Sequence, residues 1–185
     1  MTFTRLLTFL GLAAAAVIAA GILLGENEVR HFPVAATPRA PVAAGGLVYR
    51  AMDARTLDPH NPVDRRILRG VPAVQRPLRR GEAWFGVFLM VTNPGHAPLR
   101  STGRLSLVDA GGRRFAAQRL PRDGGYAYRA GVIAAGGRYP RNDSAPARNL
   151  AAQGALVLFR VPRRAVQDGS LALTIGSGAT SIAVS

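Results

Sequence analysis

The run AWFGVFLMVTNPGHAPL, residues 83–99, decides the architecture. In an extended chain Trp84, Phe88 and Met90 fall on one face, and Phe85, Val87, Leu89 and Val91 on the other. Side chains alternate across a strand with a period of two, so apolar residues on both faces predict a strand covered on both sides. Aromatic and β-branched residues, which suit a pleated surface, dominate the run. It stops at Asn93-Pro94-Gly95, where Pro presets φ and Gly frees it, as a turn requires.

Working outward, Gly46 to Asp53 reads as an earlier strand with Leu47 and Tyr49 on one face. LSLVDAGGRRF, residues 105–115, alternates Leu105 and Leu107 and then turns at Asp109-Ala110-Gly111-Gly112, which predicts a hairpin. Residues 120–148 are mostly Gly, Pro, Arg and Tyr, and read as a long crossing segment with a short strand near Val132. Three late strands are expected at Gly154–Val161, Ser170–Ile175 and Thr180–Val184. No segment after residue 25 keeps helical periodicity for three turns. Short strands separated by turn-rich connections predict an all-β, antiparallel sandwich.

Residues 58–80, DPHNPVDRRILRGVPAVQRPLRR, hold four prolines and six arginines. Pro at this density excludes a central strand or a long helix, leaving at most one short turn around Val63 to Leu68. The segment is expected to be a long surface loop. Its basic residues Arg65, Arg66, Arg69, Arg76, Arg79 and Arg80 are the candidate contact with an anionic surface; Asp64 is the only acid from 59 to 80. The alternative is a solvated insertion with no role.

At the other end of the chain, Leu6 to Gly25 carries no charge. At about 1.5 Å of rise per residue such a run spans a hydrocarbon core of about 30 Å. Residues 1–25 are therefore expected to be a short tail and a single-pass signal-anchor. Residues 26–44, with three prolines and no apolar period, are expected to be an extended tether, and residues 45–185 the domain. A cleaved signal is the alternative, since Val17-Ile18-Ala19 offers a cleavage site, but the apolar run continues through Ile22, Leu23 and Leu24. One Arg before the run is the usual form of an export signal, so the domain is expected outside the cytoplasm.

Composition removes several chemistries. The chain of 185 residues has no Cys and no Lys; all 24 basic side chains are Arg. Disulfides, thiolate metal sites, lipidated cysteines, Schiff-base lysines and the P-loop lysine are thereby excluded. A net charge of +14 suits anionic partners, although Arg without Lys in an Ala-, Gly- and Pro-rich chain also follows from GC-rich coding. His31, His60 and His96 lie apart in the chain without the spacing of a metal site. No G-x-S-x-G elbow is present, and Gly176-Ser177-Gly178 has no helix after it to hold a phosphate. No catalytic, metal or cofactor residue is expected, and no specific nucleic acid partner.

The segments Val91-Thr92-Asn93-Pro94-Gly95, Leu107-Val108-Asp109-Ala110-Gly111-Gly112 and Leu158-Phe159-Arg160-Val161-Pro162, in that order, resemble a known family. It is the uncharacterised, membrane-anchored, immunoglobulin-like domain family of actinobacteria, related to secreted immunoprotective antigens. The resemblance covers about residues 45 to 185; the VDRRILRG loop and the YAYRAGVI segment share it. It implies an immunoglobulin-like β-sandwich behind one N-terminal transmembrane helix, and no particular activity. The expected role is non-catalytic: pairing with an unknown envelope protein, or support of the envelope. The alternatives are charge-driven binding of anionic lipid or cell-wall polymer, and a secreted, antigen-like protein after signal cleavage.

Overall fold

The computed structural model describes residues 40–69, 71–72, 77–121, 125–149, 152–178 and 180–185. The anchor read at residues 1–25, most of the tether and Arg76 lie outside the described residues. Among those described, no helix is long and apolar enough to cross a membrane. Ala35–Ser185 forms a compact unit of its own, and every core residue given below belongs to it.

The elements run β1 (Val42–Ala44), β2 (Leu47–Leu57), α1 (Pro62–Ile67), β3 (Glu82–Thr92), β4 (Leu99–Arg100), β5 (Leu105–Val108), β6 (Arg114–Ala116), β7 (Val132–Ile133), β8 (Arg138–Tyr139), α2 (Ala145–Arg148), β9 (Ala155–Pro162), α3 (Arg163–Gln167), β10 (Ala172–Ile175) and β11 (Thr180–Ala183). All ladders between them are antiparallel. One sheet runs β1-β2-β3, with β9 and β8 sharing the far edge of β3; a second runs β11-β10-β5-β6; β4 and β7 form a ribbon. A single bridge, Ala117 to Phe159, joins the chain beyond β6 to β9 and links the two larger sheets at one side.

The expected central strand is β3. Its odd-numbered residues Phe85, Val87, Leu89 and Val91 meet Leu107, Leu173, Ile175 and Ile182 of the second sheet in the main core. Its even-numbered residues Trp84 and Phe88 belong to a second apolar layer on the outer face, with Leu57, Ile67, Leu68, Val71, Ala152, Leu156 and Leu158. Val87 and Phe88 are both wholly shielded from solvent. Burying a side chain of that size contributes about 1.5–3 kcal/mol.

Three local readings are corrected. The tether does not run to residue 44, because Val42–Ala44 folds back on Leu47–Tyr49 as β1. Gly45 and Gly46 sit at φ of 59° and 77°, and two positive-φ residues make the tight hairpin turn that only glycine adopts cheaply. The first strand continues to Leu57, past a bulge in which Met52 is the extra residue between Ala51↔Leu89 and Asp53↔Phe88. A bulge reverses which face alternate residues occupy. Leu47, Tyr49 and Ala51 therefore feed the main core, while Asp53, Arg55 and Leu57 face the outer layer. Finally, 58–80 is more than a surface loop: Ile67, Leu68 and Val71 roof Trp84 and Phe88. A strand covered on both faces needs such a roof.

Candidate functional site

The arginine-bearing segment is held by a local design. Asn61 caps α1, its Oδ1 accepting from Val63 N at 2.9 Å, and Pro62 fits the first turn, where no backbone donor is needed. One face of the turn presents Asp64, Ile67 and Leu68 to the protein; Arg65, Arg66 and Arg69 are exposed. Arg79 and Arg80 are exposed where the segment rejoins β3. Among the described residues, none of these five arginines forms a close ion pair, although the charge of Arg79 acts on the Glu82 carboxylate.

Asp64 is turned inward, with only 4% of its surface exposed. Its Oδ1 lies 2.7 Å from Arg55 Nη2. Its Oδ2 accepts from the Asp58 amide at 2.9 Å. Arg55 also donates Nε to Asp53 at 3.1 Å, and its guanidinium carbon lies 5.8 Å from the centre of the Phe88 ring. The bulge at Met52 brings this about, since it turns Asp53 and Arg55 to the outer face. The one acid of the segment from 59 to 80 is thus neutralised inside, leaving a positive exterior. Among the described residues no group of three or more His or acidic side chains is placed to hold a metal ion.

Beside the segment a cavity of about 620 Å³ opens between the end of β2, residues 58–60, Pro77-Leu78, the start of β3 and α3. Leu57, Leu78, Ala83, Trp84 and Val166 supply apolar walls; His60, Gln167 and Arg163 supply polar groups, with Asp58 the acid in the lining. Asp58 Oδ1 accepts from the His60 amide at 2.9 Å. Arg163 donates its Nε to the Glu82 carbonyl at 3.2 Å, whereas the Glu82 carboxylate is held by Arg160 at 2.5–2.6 Å and by the Arg79 amide at 2.9 Å. Desolvation alone would raise the Glu82 pKa; the Arg79 amide and the Arg160 guanidinium outweigh it and hold the carboxyl below its usual range. Arg163 is left with no carboxylate partner among the described residues.

The sequence singled out none of the cavity residues as a site. Trp84 and Leu57 were legible as apolar strand positions, but His60, Leu78 and Arg163 come together only because β3 pairs with both β2 and β9. Two further polar groups are structural. Asn93, expected in a turn, is buried; its Nδ2 donates to Ala97 O and Ile133 O at 2.9 Å each, and its Oδ1 accepts from Gly95 N at 3.0 Å. Tyr128 donates to Thr102 O at 2.9 Å, while Thr102 N donates to the Tyr49 hydroxyl at 3.1 Å. These bonds fasten the segment 120–148 to the sheets.

No family model matches the chain, and no curated protein matches it. Two solved structures match part of the chain. One is a "putative lipoprotein (ycdA)" of Bacillus subtilis, 13% identical, with a TM-score of 0.45 over 77% of this chain. The chain spans 35% of the length of that protein. The other is the yjhA protein of Bacillus subtilis, 7% identical, with a TM-score of 0.42 over 74% of this chain and 76% of that one. Likeness at this level transfers no role from either protein.

Proposed function

We propose that this chain is a membrane-anchored, extracytoplasmic module of the immunoglobulin-like sandwich type that works by binding rather than catalysis, and that its arginine face meets an anionic lipid or cell-wall polymer surface. One observation supports the choice of partner. Asp64 faces inward against Arg55, while Arg65, Arg66, Arg69, Arg79 and Arg80 face solvent, and of these only Arg79 has a carboxylate, that of Glu82, near it among the described residues. Arg76, outside the described residues, adds to the same segment. Near an anionic surface each cation contributes about 1 kcal/mol, and salt screens the attraction beyond about 8 Å at physiological strength.

The test uses residues 35–185, which carry their own core. This fragment should sediment with anionic vesicles or bind an anionic cell-wall polymer at low salt, ignore zwitterionic vesicles, and release by roughly 0.3 M salt. Changing all six arginines to Ser should remove binding and leave the melting temperature unchanged. Equal binding by the Ser variant, or salt-independent binding, would transfer the role to another surface or to a protein contact. For the full chain, the anchor reading is tested by carbonate extraction of membranes; recovery in the medium with a new N-terminus near Ala20 would mark the apolar run as a cleaved signal.

A further inference from the structure

Arg65, Arg66 and Arg69 do not line the cavity over Trp84, and the surface reading makes no use of it. Its size, about 620 Å³, is within the range of about 300–1,000 Å³ usual for small-molecule sites, which combine apolar walls with a few placed polar groups. The two kinds of group are segregated here. Leu57, Leu78, Ala83, Trp84 and Val166 are apolar, whereas Arg163, His60 and Gln167 come from the exposed ends of α3 and of the segment after β2. Trp84 is 98% shielded and forms the floor of the cavity. Among the described residues the terminal nitrogens of Arg163 have no hydrogen-bond partner, and Arg79 and Arg80 follow directly on Leu78. Asp58 is the opposing charge, and one of its oxygens is taken by the His60 amide.

We infer that this cavity binds an amphipathic anion: a single alkyl or acyl chain lying between Trp84, Leu57 and Leu78, with its carboxylate or phosphate head at Arg163. A chain alone would leave the guanidinium unused, and an inorganic anion would leave Leu78 and Val166, the partly exposed apolar walls, uncovered. Only a ligand with both parts satisfies the site. The inference goes beyond the surface reading and does not depend on it.

Trp84 is the only tryptophan of the chain and lies in the cavity wall, so its fluorescence reports occupancy directly. The fragment 35–185 is titrated with octyl phosphate, octanoate, octyl maltoside and inorganic phosphate, each below its micelle-forming concentration. The expected result is a saturable shift of Trp84 emission with octyl phosphate and octanoate, at least tenfold weaker binding of octyl maltoside, and no shift with inorganic phosphate. Arg163→Gln should weaken the two anionic amphiphiles about tenfold, the size of one lost charged hydrogen bond, without altering the response to octyl maltoside. Val166→Phe, which fills the cavity, should weaken all three amphiphiles. The triple change of Arg65, Arg66 and Arg69 to Ser should leave octyl phosphate binding intact even where it abolishes vesicle binding, so the two readings fail separately. A Trp84 emission insensitive to every amphiphile, or equal affinity for charged and neutral heads, would overturn the assignment.

Discussion

Replacing Asp64 by Asn should destabilise residues 35–185 by about 2–3 kcal/mol and release the segment 58–80 from the sheet. Removing one partner of a buried ion pair costs about 3–5 kcal/mol, because the other charge stays behind unpaired. Two features place Asp64 at the low end. Arg55 retains Asp53 at 3.1 Å, and its side chain is 16% exposed, so part of its charge is still screened by water. Against this, Asn must share one carbonyl oxygen between the Arg55 guanidinium and the Asp58 amide, each of which now has its own carboxylate oxygen. For a domain of this size, 2–3 kcal/mol lowers the melting temperature by roughly 5–15 °C. Thermal melting followed by circular dichroism reads the stability, and limited trypsin digestion reads the segment, since Arg65, Arg66 and Arg69 are exposed cleavage sites. The double change Arg55→Met with Asp64→Leu should recover part of the loss, because it removes both charges of the pair while leaving Asp53 without Arg55. A melting temperature for Asp64→Asn within about 2 °C of the parent, with an unchanged digestion rate, would refute the reasoning. The apolar roof alone would then hold the segment in place.

Two further outcomes follow from buried geometry. At Gly154, φ is 110° and a Cβ would stand 2.9 Å from Phe88 C and 3.0 Å from Leu89 N and O, so Gly154→Ala should cost about 3 kcal/mol or more, read as a lowered denaturation midpoint in guanidinium chloride. A midpoint equal to the parent's would show that β9 can shift away from β3. Burial raises the pKa of Tyr128, and burial also raises that of Tyr139 against an opposing contribution from Arg129. The folded state therefore keeps phenol protons that the unfolded chain gives up above about pH 10, so stability should fall as pH rises past that point. Melting at pH 8, 9.5 and 11 checks this, and Tyr128→Phe should flatten the decline; an unchanged slope would free Tyr128 of responsibility.

The strand core was legible because its signal is local. Residues 83–91 announce double-sided burial by themselves, and the late strands expected at Gly154–Val161, Ser170–Ile175 and Thr180–Val184 appear at Ala155–Pro162, Ala172–Ile175 and Thr180–Ala183. The outer layer was not read, because four prolines in 58–80 outweighed the short apolar set Ile67, Leu68 and Val71. Double-sided burial of β3 already demanded a cover, and this set was the nearest one available. The bulge at Met52 leaves no sequence signature beyond a polar turn in the alternation at Asp53, yet it carries Arg55 to Asp64. The five described candidate arginines are exposed. The cavity was beyond reach from sequence, since it depends on long-range pairings such as Leu57↔Trp84 and Glu82↔Pro162.

Those pairings also set a timetable. Strand β3 finds β2 soon after it is made, but its other edge waits for β9, from Leu89↔Ala155 to Glu82↔Pro162. At about 5–20 residues per second, several seconds separate the synthesis of the two strands. A nascent chain stalled in that interval displays an unpaired edge bearing Phe85, Val87, Phe88 and Leu89, the composition that seeds strand-to-strand aggregation. Long-range closure of this kind is slow even after release, typically milliseconds to seconds. Its vulnerable moment is therefore its birth, and truncations ending before residue 155 should be insoluble rather than merely unstable.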